Sequence, residues 1–269
     1  MKTRGFTLVE LVVVIVITGI IAASVTIFLR PAIDSYFDTR RRAELTDMAD
    51  TALRRMAQDI RRAVPNSVRS SGPTCFELVP TITGGRYRMA PDTVTAGSAV
   101  LDTTTTTLSF DVLSPMATLP VAGDWVVVNN QNGNDVYAAG TNRASIAAVA
   151  TPPPVATGLH RITLAAAQQF SPGYDGGRFV VVPAAEEMVT YSCVGGSLLR
   201  IVSNFNANPG ASCNAAGTVV AADVANCVFV YDPGASATQQ SGLVWMRLEL
   251  AQPGESIILT HGAHVDNLP

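Results

Sequence analysis

The longest apolar run in the chain comes first. Nearly every position from Gly5 to Leu29 is apolar, and Leu11 to Leu29 is a stretch of 19 residues without a charge. As a helix rising about 1.5 Å per residue, that stretch spans roughly 28 Å, close to the hydrocarbon thickness of a bilayer. A single carboxylate, Glu10, sits inside the run. Arg30-Pro31 interrupts it, and a helix passes such a proline with a kink and one lost backbone hydrogen bond. Beyond Pro31 the period changes. Leu45, Ala49, Ala52, Met56, Ile60 and Ala63 recur at three- and four-residue steps, while Asp47, Asp50, Arg54, Asp59 and Arg61 take the other faces, which predicts an amphipathic helix. Asp50 and Arg54 stand four apart and support it. Val64-Pro65-Asn66 ends it, because the residue before a proline is pushed out of helical geometry.

From residue 67 the pattern is that of strands. Short β-branched runs alternate with turn clusters: CFELVP, TLSFDVL, DWVVVNN, HRITLA, GRFVVVP, EMVTYSC, SLLRIV, CVFVYDP, LVWMRLEL and SIILTHGAHV. This spacing predicts a mainly antiparallel β domain. CVGGS reads as a two-glycine hairpin turn. PDTVTAGSAVLDTTTTT, NNQNGNDVYAAGTNRA and TPPPVATG read as surface loops. The helix has one apolar face and the sheet needs one covered, so the two should pack together. The fold class is α+β: a long N-terminal helix, apolar then amphipathic, on a mainly antiparallel sheet. The divisions are 1–5 as leader, 6–30 as apolar helix, 31–64 as amphipathic helix and 65–269 as the β-rich globular part.

Charge changes the picture by exclusion. Net charge is −3, with 14% charged residues. Asn66 to Pro269 holds 8 Arg against 14 Asp and Glu, a net of 8 − 14 = −6, which argues against nucleic-acid binding. The four cysteines, Cys75, Cys193, Cys213 and Cys227, form no C-x-x-C pair. An even number behind an export-like N-terminus points to two disulfides in an oxidising compartment. Of the three possible connectivities, Cys193–Cys213 is favoured because it closes a loop beyond the glycine hairpin, leaving Cys75–Cys227.

Glu10 decides between readings of the N-terminus. A secretory signal peptide would use MKTR as its basic head and Ala22 to Ser24 as a cleavage site. Neither that nor a plain anchor gains from a carboxylate costing on the order of 2.5–3.5 kcal/mol near the bilayer centre, and less toward its edge. A third reading uses it. A cut between Gly5 and Phe6 creates an α-amine, largely protonated at neutral pH. In a bundle of staggered identical helices, that amine can meet Glu10 of a neighbour and form a compensated buried pair. RGFTLVELVVVIVI resembles the class III signal of type IV pilins and type II secretion pseudopilins. The resemblance implies cleavage after Gly5 by a prepilin peptidase, methylation of the Phe6 amine and a role for Glu10 in registering subunits during assembly. Lysine and arginine lie on both sides of the apolar run, so charge does not set its orientation. The resemblance implies a cytoplasmic leader, a periplasmic globular part on the inner membrane and, after assembly, an extracellular pilus.

PNSVR, CFELVPTITGGRYR, AAGTNRASIA, SPGYDGGRFVVV, CVFVYDPG and HGAHVDNLP resemble the minor pilins of mannose-sensitive haemagglutinin (MSHA) pili, the MshO-like group. That resemblance implies a minor pilin at or near the tip, priming assembly. Its partners would be other major and minor pilins, the prepilin peptidase, the inner-membrane assembly platform and, before assembly, the lipid bilayer. A type II secretion minor pseudopilin and a tip adhesin binding glycans or surfaces are the alternatives.

Other chemistry is thin. His261 and His264 stand three apart, which on a strand puts them on opposite faces, so no metal site is expected. Asn129 to Tyr137 carries one carboxylate, Asp135, where calcium loops use several, and reads as a polar surface turn. Glu186 and Glu187 read as a solvated face. No nucleophile elbow, phosphate loop or zinc-protease motif occurs. The expectation is a structural subunit without cofactor, not an enzyme.

Overall fold

A computed structural model describes residues 5–140, 142–151, 153, 157–173, 176–234 and 241–267. Helix α1 is a single helix of 54 residues, Leu8–Arg61, and runs through Pro31. Its two halves meet different surroundings. Every residue from Gly5 to Phe37 is exposed, including Phe28 at 79%. Leu8 to Phe37 therefore forms a free apolar stem about 45 Å long, and it includes a segment long and apolar enough to cross a membrane. From Leu45 the helix docks. Leu45, Ala49, Ala52, Met56 and Ile60 are buried, as the helical spacing predicts.

Among the described residues the strands form three sheets, and every pairing within them is antiparallel. The first has the order β1 (Arg69–Ser70), β2 (Cys75–Leu78), β9 (Met188–Val194), β10 (Ser197–Ser203), β11 (Thr218–Ala221). The second is β12 (Val224–Asp232), β13 (Ser241–Gln252), β14 (Glu255–Asp266). The third has the order β3 (Thr83–Arg86), β8 (Arg178–Val182), β5 (Trp125–Val127), β6 (Arg143–Ala150), β7 (His160–Gln168), β4 (Thr107–Val112). The hairpin between β9 and β10 turns through Gly195 and Gly196, at φ 59° and 76°. Those angles match a two-residue turn whose twist continues the strands, and glycine adopts them without strain.

The docked face of α1 lies on β13 and β14 and reaches β11. Phe76, Tyr191, Phe229, Met246 and Leu248 complete this core. Phe76 stacks on Tyr191 at 5.3 Å between ring centroids and meets Phe229 edge-on at 5.0 Å. Burial alternates along β13, as a strand with one covered face requires.

The six-stranded sheet lies wholly between β2 and β9 in sequence, although those two strands pair directly. It has its own core, in which Phe110 meets Tyr87 and Phe179 edge-on. A third cluster, with Val64, Val79, Val127, Tyr137 and Met188, joins this insertion to the base of the helix.

Buried polar groups fasten the parts together. Asp59 is only 3% exposed, not on an outer face as its charge suggested. It lies seven residues beyond Ala52, two helical turns along the docked face. Its carboxylate accepts from Tyr191 Oη at 2.8 Å, Arg200 Nε at 2.9 Å and Arg62 Nη2 at 2.8 Å. Arg69 donates to buried Glu77 at 2.8 Å, to Asn134 at 2.9 Å and to the Asn206 carbonyl at 2.7 Å, and its guanidinium lies 3.5 Å over the Tyr137 ring. The segment read as a polar surface turn is exposed only over 131–134, and Val136 and Tyr137 are buried. Asp135 is occupied locally by Asn132. Glu186 and Glu187 are not a solvated face either. Glu186 accepts from Arg200, and Glu187 from Trp125 Nε1 and the Phe205 amide.

The disulfides correct the favoured pairing. They are Cys75–Cys213 and Cys193–Cys227. The reason is the pleat. Cys75 is in register with Ser192, and Phe76 with Tyr191. Registered partners share a face and sequence neighbours do not. Cys193 therefore lies on the core face with Tyr191, beside Cys227, while Cys75 lies on the opposite face. The chain after β10 crosses that opposite face, where Asn206 meets Arg69 and Gly210 meets Glu77, and it brings Cys213 to Cys75. Cys193–Cys227 ties the first sheet to the second. Proteolysis of the unreduced protein should release peptides joining Cys75 to Cys213 and Cys193 to Cys227. Replacing Cys193 and Cys227 together should cost about 2–5 kcal/mol in urea unfolding. A peptide joining Cys193 to Cys213 would refute this topology.

Acid should loosen the same junctions. Burial pushes the Asp59 carboxyl up, but the donations from Arg200, Tyr191 and Arg62 outweigh it and hold the group below its ordinary value. Asp111, buried in the second core, is likewise held down against burial by Arg161, Thr157 and the Ala99 amide. A lowered folded value adds stability that is present above the unfolded carboxylate range and lost as pH falls through the folded value. Urea stability should therefore hold from pH 7 to 5 and decline below about pH 4. Asp59→Ala should lose about 3–5 kcal/mol at pH 7, because Tyr191 and Arg200 lose a buried partner, and it should show a shallower acid decline. A wild-type acid profile in Asp59→Ala would contradict this account.

Candidate functional site: the helix N-terminus

The basic head, Met1 to Arg4, lies outside the described residues. The site begins at Gly5, which is exposed and has no neighbouring atom within 4 Å of the position a Cβ would take. Phe6 is 82% exposed. Thr7 is extended, at φ −82° and ψ 152°, and the helix starts at Leu8. The Gly5–Phe6 peptide bond thus lies in an open, non-helical segment just ahead of the first turn, accessible from solvent.

Thr7 and Glu10 form a capping box. The Glu10 amide donates to Thr7 Oγ1 at 3.3 Å. Glu10 Oε2 accepts from the Thr7 amide and the Thr7 hydroxyl, both at 3.0 Å. Two of the donors left over at a helix start are thereby satisfied. The signal for this box is present in the sequence as Thr7-Leu8-Val9-Glu10, the T-x-x-E pattern. Glu10 therefore already has a local role in the single chain. Both of its bonds use Oε2, and Oε1 has no hydrogen-bond partner among the described residues.

The electrostatics of the turn give the carboxylate a second role. A helix N-terminus carries partial positive charge. An α-amine on Phe6 would stand one residue before the cap and add charge of the same sign. Glu10 in the first turn offsets both. The box also fixes the side chain's direction toward the N-terminus, leaving Oε1 available to an external cation.

The other residues singled out from the sequence are not brought to this end. The four cysteines are in disulfides in the globular part. His261 is half-buried and His264 exposed, on opposite faces of β14. Among the described residues no group of three or more His, Cys, Asp or Glu is placed to hold a metal.

The family model for the prokaryotic N-terminal methylation motif matches residues 1–26. No curated protein and no solved structure matches the chain. The motif marks structural rather than catalytic proteins, processed by a prepilin peptidase and assembled with other pilins, and the apolar helix it opens suggests membrane anchoring. Carried on a free apolar stem that continues into antiparallel sheets, it supports a type IV pilin- or pseudopilin-type protein.

Proposed function

We propose that this chain is a minor pilin of an MSHA-like type IV pilus, cut after Gly5, methylated on Phe6 and placed at or near the pilus tip, where it primes assembly. The observation that carries the reading is the stem. Thirty-three consecutive residues, Gly5 to Phe37, are exposed and mostly apolar, with one capped carboxylate near their start. Such a surface is not stable in water. It has two solvents open to it, the bilayer and a bundle of like helices. The chain would wait in the inner membrane with its globular part in the periplasm, then leave through the assembly platform into an extracellular filament.

The bulk of the globular part favours the tip. The insertion between β2 and β9 carries a six-stranded sheet with its own core, on top of the two sheets that cover the helix. A body of that width suits an end position better than a tightly repeating shaft. In a type II secretion system the same stem would serve a pseudopilin. Deleting the gene separates the two: loss of pili supports the proposal, and loss of protein secretion with intact pili overturns it. Pili of normal number that no longer adhere would instead assign the chain a tip-adhesin role.

The mature protein extracted from membranes should begin at Phe6 on N-terminal sequencing. A mature chain starting near Ser24 would identify an ordinary signal peptide and refute the proposal.

Two substitutions at Glu10 separate capping from charge. Glu10→Ala removes both, whereas Glu10→Gln keeps an acceptor at the third helical position and removes only the charge. Both should reach wild-type membrane levels, since each lowers the cost of insertion. Both should be depleted from purified pili relative to the membrane pool, or reduce the number of pili. Wild-type incorporation of Glu10→Gln would confine Glu10 to capping.

A further inference from the structure

A cavity of about 390 Å³ opens where three parts of the molecule meet. Its walls come from the edge strand β3 and its neighbour β8 in the insertion, from Val64-Pro65 just after α1, and from Asp266 at the end of β14. This is the size and setting of a small-molecule site: concave, at a junction, and within the usual range of such pockets.

Its charge is unusual. Arg86 and Arg178 are direct cross-strand partners, and both line the cavity. Like charges placed opposite each other in a sheet are destabilising. Arg69, Arg161 and Arg200, buried or part-buried, are paired, with Glu77, Asp111, and Asp59 and Glu186 respectively. Arg86 and Arg178 form no ion pair among the described residues. Asp266 also lines the cavity, which leaves the lining with one more positive than negative charge. An anion between the two guanidiniums would turn a repulsive pair into a two-pronged clamp.

The remaining walls narrow the ligand. Asn130 lines the cavity; its amide nitrogen donates to the Pro65 carbonyl at 2.6 Å, while its side-chain oxygen is buried without a hydrogen-bond partner. Ser114 adds a hydroxyl, and Phe179 and Val180 add an apolar surface. The wall is built to a close tolerance at Gly85, where a Cβ would stand 2.8 Å from Ser114 Oγ and 3.1 Å from the Phe179 ring. A carboxylate, hydroxyl donors and an apolar C–H face on one compact frame describe an acidic sugar.

We propose that this cavity binds a small acidic sugar, a hexose bearing a carboxylate, with Arg86 and Arg178 clamping the carboxylate. The site does not depend on the assembly reading, because the clamp belongs to the single chain and a stem variant that fails to enter pili retains it.

The test is calorimetric titration of the full-length chain in detergent with D-glucuronate, D-glucose and sodium sulfate. Glucuronate should bind saturably, and both glucose and sulfate about tenfold or more weaker. Arg86→Gln and Arg178→Gln should each weaken glucuronate about tenfold, the loss of one charge-assisted hydrogen bond. Neither should lower the melting temperature, since both side chains are exposed and each change relieves a like-charge pair. Equal binding of sulfate would overturn the sugar assignment, and equal binding of glucose would overturn the clamp. Absence of saturable glucuronate binding, or wild-type affinity in both variants, would overturn the site.

Discussion

One helix has to satisfy two different surroundings with a single continuous backbone, and the rest of the molecule is arranged around that demand. Its first thirty or so residues are exposed and mostly apolar, while Leu45 to Ile60 are apolar on one side. A 54-residue helix is held in place only by the part that docks. Small residues, Ala49, Ala52 and Ala57, let the helix lie close to the sheets, and larger ones, Leu45, Met56 and Ile60, fill the space between them. Nothing in a purely apolar face fixes how far a helix slides along its axis. Asp59 does, because its three donors come from the helix end and from two neighbouring strands.

The same device recurs at each junction. Glu77 and Arg69 join the first sheet to the insertion and to the crossing segment after β10. Asp111, with Arg161 and Thr157, organises the second core. Buried ions of this type add little net stability, since desolvation offsets most of the attraction. Their effect is on arrangement: a misplaced element would leave a buried charge without its partner, which costs several kcal/mol. Apolar burial supplies the driving force here, and the ion pairs select one packing among many.

Much of this is legible in the sequence, and the rest has more than one cause. The helix face followed from three- and four-residue spacing, and all ten β-rich runs became strands, because both patterns are local. β6, RASIAAVA, escaped notice since alanine has little preference for strands, and it is held there by β5 and β7 on either side. β3 contains two glycines and escaped for a similar reason. The charge of Asp59 suggests an outward side chain, although its spacing from Ala52 places it inward. The disulfides depended on which face of a strand each cysteine occupies, and that needs the register between β2 and β9, strands far apart in sequence. At the N-terminus, Gly5, Phe6 and Glu10 are readable as a motif, and Thr7-x-x-Glu10 is readable as a cap as well.

The direct pairing of β2 with β9 has a consequence for how the chain acquires its shape. Of the large side chains that cover the helix face, Phe76 precedes the insertion, but Tyr191, Phe229, Met246 and Leu248 all follow it. Contacts this distant in sequence are slow to form, because the loop they close must first be drawn together. The insertion assembles its core from residues within its own span, all of which are made before β9. During synthesis the helix is made first and covered last. A chain tethered by its stem must therefore keep the Leu45–Ile60 face from other apolar surfaces until its final strands emerge, and the interval of greatest vulnerability to aggregation falls before any of β9 to β14 exists.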